Sequence, residues 1–386
     1  MIGVDKTPEG KEKVTYALAA PFAKNDGENT ETGGQSGKKK LGSQYTILIP
    51  SSAEGRMLLN SSIGRFIKYS HIVIEIWSEK AARSGVNGSM SFNIRSRDFR
   101  ETVYFMVVKG SAEEYIKQNQ PVLESNLYRY YEGILSKNNQ SGYYLPATFH
   151  EFYNRLKNSG GSPYMTYSAI NPMTGNDEPN GTKNSEQKGD PYLAGGVPRT
   201  GTADTAEVLG LAVFKQDKMV GVLNSDETRA VAILLNKFPR GYVGVVDPLS
   251  PEKDVINLNV YTDTKPKIIA SLNDGKPSFN IAVQLELELF GLTANTNYEA
   301  PEYRTLLETQ VSNLFTEQIM NMIKHTQELS TDPVGFGLYL RPDFANTNEL
   351  DQTNLTELYK IADFNVNVST KLRRTGLIWR TSPQQK

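Results

Sequence analysis

The side chains able to do chemistry are few and scattered. The chain has three histidines and no cysteine. His150-Glu151 begins like a zinc-protease helix, in which two histidines four residues apart hold the metal and the glutamate acts as base. Phe152, Tyr153 and Asn154 follow, so the second histidine is absent. His71 heads an apolar strand and His325 sits in a long helix, and no carboxylate-rich motif ties either to a site; both read as structural. Glu286 and Glu288 share one strand face about 7 Å apart, a spacing that overlaps glycosidase acid pairs. Nothing near them in sequence would raise one pKa above the other, and adjacent acids on a wet strand face account for them. Asp5 with Glu9 lacks the D-x-D-x-D-G run of a calcium loop. Gly335-Phe336-Gly337 has the first spacing of a dinucleotide loop but lacks the third glycine and follows a helix, so a tight turn into Leu338-Tyr339-Leu340 is the expectation.

No G-x-S-x-G elbow, Walker loop or G-x-G-x-x-G occurs. The missing cysteines exclude disulfides, thiolate metal sites, Fe–S clusters and cysteine nucleophiles. No catalytic, metal-binding or cofactor-binding residue is therefore expected. The 42 basic and 43 acidic residues nearly cancel, which argues against nucleic acid as a partner. Lys38-Lys39-Lys40 is too short for a lipid-binding polybasic segment.

The elements that position these residues alternate between strand and helix. No apolar run reaches the ~18 residues of a membrane span, and the start carries no signal peptide. Because the chain opens directly in a strand, a native N-terminus further upstream is expected. Ile2–Asp5 and Lys13–Ala19 should form a hairpin around Thr7-Pro8-Glu9-Gly10. The apolar run His71–Trp77 suits a strand buried on both faces. Val208–Phe214 and Met219–Leu223 form a second hairpin, followed by a helix capped by Asn224 and Glu227. Phe279, Ile281, Val283, Leu285, Leu287 and Leu289 alternate with polar residues along one half-buried antiparallel strand. Asn273-Asp274-Gly275 is the hairpin turn before it. A helix over 301–329 should span a whole sheet.

These patterns predict an α+β, multi-domain chain with three domains expected, each a mixed or antiparallel sheet packed with helices. The expected divisions are an N-terminal α/β domain over 1–158 with a mobile loop at 24–42, and a Gly/Pro/Asn-rich linker or loop over 159–204. A hairpin-helix unit over 205–253, leaning on a neighbour, and a C-terminal antiparallel sheet with its long helix over 254–386 complete the map.

Several segments together resemble the Ger(x)C family, the C subunits of bacterial spore germinant receptors. Gly3-Val4-Asp5-Lys6-Thr7 is similar to the family's opening strand. His71–Gly85 followed by Arg97-Asp98-Phe99-Arg100 resembles its strand, helix and R-D-x-x-R block, and Tyr104–Ser111 the next strand. Gly210-Leu211-Ala212-Val213-Phe214 through Glu227 resembles its G-L-A-V-F hairpin and helix. Gln327, Asp332, Gly335-Phe336-Gly337 and Arg373-Arg374-Thr375-Gly376-Leu377 resemble its end. The resemblance implies a non-enzymatic lipoprotein on the outer face of the spore inner membrane, working with membrane A and B subunits in nutrient-triggered germination. It implies attachment through an N-terminal lipid that lies outside this chain, and a monomeric isolated chain. Most matched residues serve turns or core. Arg97, Arg100, Arg373 and Arg374 are the candidates for partner contact. A solute-binding lipoprotein that captures the nutrient itself is the alternative, and it requires an interdomain cleft with convergent polar groups.

Overall fold

The computed structural model describes residues 1–18, 43–49, 52–63, 67–119, 121, 123–124, 126–137, 141–158, 160–172, 191–199, 201, 205–250, 254–262, 264–292, 296–344 and 346–377. The loop expected at 24–42 lies outside them. The first sheet has eight strands: β1 (Ile2–Lys6), β2 (Glu12–Leu18), β3 (Ser43–Ile49), β4 (Ile74–Ser78), β5 (Tyr104–Val108), β6 (Tyr164–Ile170), β7 (Ala206–Lys215) and β8 (Lys218–Leu223), in the order β3-β2-β1-β4-β5-β6-β7-β8. The middle pairs, from β1–β4 to β5–β6, are parallel, and the flanking pairs are antiparallel. Parallel neighbours require crossovers, and helices α1 (Ser52–Ser62), α2 (Glu79–Ser84), α3 (Asn87–Arg95), α4 (Ala112–Gln118), α5 (Leu127–Lys137) and α6 (Phe149–Lys157) lie in them. The expected two-sided burial of the His71–Trp77 run is seen from Ile74 onward: Ile74 and Ile76 join one apolar cluster and Trp77 another.

Sequence cues set several helix ends. Ser78 caps α2, and Thr148 with Glu151 forms a capping box on α6. Asp5, read at first as a poor calcium ligand, lies 6% exposed and accepts from the backbone N–H groups of Ala112 and Glu113, both at 2.9 Å. It binds the N-terminus of α4 from across the sheet, where a negative charge is favoured.

The linker expected over 159–204 is corrected by β6, a strand within the first sheet between β5 and β7. Tyr164–Ile170 is short and enclosed by Gly/Pro/Asn punctuation, which hid its β-prone centre. The hairpin β7–β8 extends the same sheet, so the hairpin expected to lean on a neighbour is joined to one by backbone hydrogen bonds. The helix after it, α7 (Ser225–Leu234), has the expected Asn224–Glu227 capping box.

The second sheet comprises β9 (Arg240–Val246), β10 (Val255–Tyr261), β11 (Lys267–Asn273), β12 (Lys276–Leu292) and β13 (Asp363–Arg374). The 17-residue β12 takes β11 and then β10 along one edge, both antiparallel, and β13 along the other. The β13 pairing is parallel, which corrects the wholly antiparallel expectation. The connection from β12 to β13 runs through the long helix α8 (Pro301–Glu328), a 3-10 helix (Phe336–Asp343), α9 (Thr347–Gln352) and α10 (Leu355–Ile361), a crossover that parallel pairing demands. Asp274 and Gly275 turn β11 into β12 with φ of 49° and 78°, as the Asn-Asp-Gly sequence requires. The mixed α+β class is as expected.

The largest apolar cluster is shared by both sheets. Leu211, Val213 and Leu223 of the first sheet, Val231 and Leu234 of α7, Leu285 and Leu287 of β12, and Val311 and Ile319 of α8 all belong to it. A second bond between the sheets is polar. Beyond α8, Thr331 donates to the Phe214 carbonyl at 2.7 Å, and Asp332 and Ser162 exchange hydrogen bonds of 2.7 and 2.8 Å. The Asp332 carboxylate, 3% exposed, accepts from the N–H groups of Gly335 at 2.7 Å and Gly337 at 3.1 Å. Arg155 of α6 donates to the Pro333 carbonyl at 2.7 Å. The approach is close enough that a Cβ on Gly160 would lie 2.2 Å from Leu338, and Gly335 takes the left-handed φ of 87°.

The register of β12 makes a direct prediction. Leu285 is 2% exposed in the shared core, so Leu285→Ala should cost ~2–5 kcal/mol in chemical denaturation. Glu286→Ala, on the opposite face, should cost under about 1 kcal/mol. Equal costs would contradict the facing of the strand.

Candidate functional site

The second sheet is covered on one face by α8, which packs on β13. Its other face carries the polar residues of the alternating strand and four of the side chains singled out from sequence: Glu286, Glu288, Arg373 and Arg374. Arg373 Nε lies 3.4 Å from Glu286 Oε1, and Arg374 Nη2 lies 3.8 Å from Glu286 Oε2. Consecutive strand residues normally point to opposite faces. Here the β12–β13 register shifts, so that Leu287 pairs with Leu372 and Glu288 with Arg374. The bulge leaves Arg373 opposite no partner and lets both guanidinium groups reach one carboxylate. Arg374 also stacks over the Tyr261 ring, 4.7 Å from its centroid. Tyr261 Oη donates to Glu288, which also accepts from Asn259 Nδ2 at 3.1 Å. The Glu288 carboxylate therefore raises the Tyr261 hydroxyl pKa.

Glu286 and Glu288 are thus held in an ion-pair and hydrogen-bond network. One is paired with arginines and the other with a phenol, an arrangement that fixes charge on a sheet face. Beyond them, Tyr242 and Phe290 pack at 4.9 Å between centroids while remaining 53% and 65% exposed. The face combines an exposed aromatic pair with a charged, pre-arranged rim, the composition of a protein-contact surface. Arg97 and Arg100 lie elsewhere, exposed in the loop between α3 and β5, and no ion pair joins them to this cluster among the described residues.

His71 is exposed at the end of a 3-10 helix (Tyr69–His71) ahead of β4, which corrects its expected place at the head of the strand, and the other two histidines hydrogen-bond to carboxylates. His150 Nδ1 lies 2.8 Å from Glu101, and His325 Nδ1 lies 2.8 Å from Glu227, tying α8 to the first turn of α7. Among the described residues no group of three or more His, Cys, Asp or Glu converges as a metal site. Gly210-Leu211-Ala212-Val213-Phe214 is a buried strand whose last four residues are fully inaccessible.

Two buried carboxylates gave no signal as a site. Asp332 is pushed up to about 6 by burial, opposed by the N–H groups of Gly337 and Gly335 and by Arg155. Glu75, mid-strand in β4 and 2% exposed, is pushed up to about 7 by burial, opposed by its hydrogen bond from Asn93 Nδ2 at 3.0 Å. Its ordinary value is 4.5, so the folded state holds the proton more tightly than the unfolded chain between about pH 4.5 and 7. Stability contributed by the proton is complete below that window and lost as pH rises through it. Glu75→Gln keeps the shape and removes the titration. The variant should match the parent near pH 4 and exceed it by about 2–4 kcal/mol at pH 8. Parallel stability–pH curves for the two proteins would show that Glu75 does not titrate as described.

Comparison with known proteins agrees with this architecture. The family model described as "Spore germination protein N-terminal domain" matches residues 1–170, and "Spore germination B3/ GerAC like, C-terminal" matches residues 209–376. Spore germination protein GerQC of Bacillus cereus is 22% identical over 97% of this chain and 90% of its own length. Spore germination protein B3 of Bacillus subtilis (strain 168) is 22% identical over 98% of this chain and 90% of its own. The crystal structure of the GerBC protein shares the fold, with a TM-score of 0.55, 18% identity and 96% of each chain covered. The chain belongs to the GerAC-like spore germination family, the germinant receptor C subunits.

Proposed function

We propose that this chain is the non-enzymatic C subunit of a germinant receptor, assembling with membrane A and B subunits at the outer face of the spore inner membrane. The observation that carries the reading is the pair of family matches, which together span both sheets. Two structural features support it. No helix of the described residues is long and apolar enough to cross a membrane, so a role at the membrane calls for partners or an anchor. The open face of the second sheet offers a surface on which partners can dock, with Tyr242 and Phe290 as aromatic anchors and Arg373 and Arg374 as its charged rim.

Arg373 and Arg374 have exposures of 64% and 52%, so reversing their charge alters the surface and leaves the core alone. In spores, Arg373→Glu with Arg374→Glu should abolish co-purification of the C subunit with the A and B subunits and slow nutrient-triggered germination, at unchanged C-subunit abundance. Charge reversal at Arg97 and Arg100 serves as the comparison for the loop before β5. Normal assembly and germination with all four reversed would remove these arginines from the interface. Failure of the unaltered chain to co-purify with any membrane subunit would overturn the receptor reading.

A further inference from the structure

The second sheet ends at β9, and no further strand lies on that side among the described residues. The β9–β10 register runs unbroken from Arg240 opposite Tyr261 to Val246 opposite Val255. At its two ends, Asp247 N–H donates to the Asp254 carbonyl at 2.9 Å and Thr262 N–H to the Pro239 carbonyl at 3.3 Å. Hydrogen-bonded pairs alternate with non-bonded ones along an antiparallel ladder, so Gly241, Val243 and Val245 turn their backbone groups to β10. Tyr242, Gly244 and Val246 turn theirs outward. The Val246 carbonyl agrees with this, since it accepts from Gln310 Nε2 of α8 at 2.7 Å. Among the described residues nothing meets the N–H and C=O of Gly244 or the N–H of Val246. The opposite edge of the sheet is covered. There Ser312 Oγ of α8 accepts from Thr370 N–H at 3.1 Å, and Glu308 accepts from Leu372 N–H at 2.8 Å.

This free edge borders a cleft of about 520 Å³ whose other walls are α7 and α8. Val243, Gly244, Val245 and Val246 all line it. Side chains alternate between the two faces of a strand, so a wall that takes in four consecutive residues presents the strand's edge. Gly244 is exposed there. We propose that the cleft receives an extended peptide of a partner protein, carrying a lysine or arginine, which pairs with β9 as an added strand. Main-chain hydrogen bonds to Gly244 and Val246 hold such a peptide, and side-chain contacts across the groove select it. The four lining residues give it a track of about 13 Å. Leu314 of α8 supplies an apolar contact on the helical wall. Charge sets the sign of the partner. Arg229 is paired with Asp226, while Glu317 is exposed in the lining with no ion pair among the described residues, so the groove is net negative and favours a cation. The added strand also prolongs the open sheet face beside Tyr242 and Phe290, which gives its outward side chains an aromatic neighbour. This inference stands on the strand edge and the cleft alone and survives failure of the receptor reading.

The test is selection of phage-displayed random octapeptides on the full chain, followed by fluorescence anisotropy with an enriched peptide in synthetic form. Enriched sequences should carry a lysine or arginine among β-branched residues, and the peptide should shift the amide resonances of Gly244 and Val246. Gly244→Pro removes an outward donor on an edge strand, where proline is tolerated, so it should melt close to the parent and bind about tenfold more weakly or worse. Gly244→Ala keeps the N–H, and its Cβ meets Val255 at an ordinary 3.4 Å, so it should bind like the parent. Glu317→Lys should weaken binding of the same peptide, and if Gly244→Pro fails to fold, this variant and the two resonances decide. No enriched sequence, or binding that Gly244→Pro and Glu317→Lys leave unchanged, would overturn the proposal. A Gly244 amide protected from exchange in the peptide-free monomer would show the edge already filled by this chain and overturn it. Dimerisation of the free chain that Gly244→Pro dissolves would give the edge to a second copy and overturn the partner assignment.

Discussion

The carboxylate of Asp332 is buried at the junction of the two sheets, and the path of the chain between them depends on it. Its own backbone exchanges hydrogen bonds with Ser162, just ahead of β6 in the first sheet. Its side chain gathers the N–H groups of Gly335 and Gly337, which begin the 3-10 helix leading toward β13 in the second. A buried carboxylate is costly unless its lone pairs are met, and here backbone donors meet them. Glycine at 160, 161, 335 and 337 lets the two backbones approach closely enough for this to happen. The motif resembling the end of the Ger(x)C pattern is thus a structural fastening.

That fastening follows directly on the end of α8. It anchors the end of α8, and α8 covers one face of the second sheet. The opposite face stays open, and the bulge at Arg373 crowds two arginines onto Glu286 there. Surface ion pairs of this kind contribute little stability.

Much of this was legible in sequence where a local pattern carries the information. The alternation from Phe279 to Leu289, the Asn-Asp-Gly turn, the Asn224–Glu227 cap and the long helix all follow from short-range physics. What escaped depends on distant residues. Tyr164–Ile170 is a strand because β5 and β7 receive it, and β9 was missed because Gly241 and Gly244 dilute its alternation. The parallel partnership of β13 and the bulge that turns Arg374 are properties of a pairing that no single strand encodes. Arg229 of α7 gave no signal either: it is buried against Phe315 of α8, and an arginine in an amphipathic helix reads as solvent-exposed until a second helix closes over it.

The central claim is that the junction at Asp332 makes the two sheets one cooperative unit, supported by the apolar cluster they share. Native-state hydrogen exchange of the Gly335 and Gly337 amides tests it most directly, measured beside core amides of Val107 in the first sheet and Leu285 in the second. The account predicts that all four exchange with the free energy of global unfolding. Exchange of the two glycines through a low-energy local opening, with both sheets still protected, would contradict it.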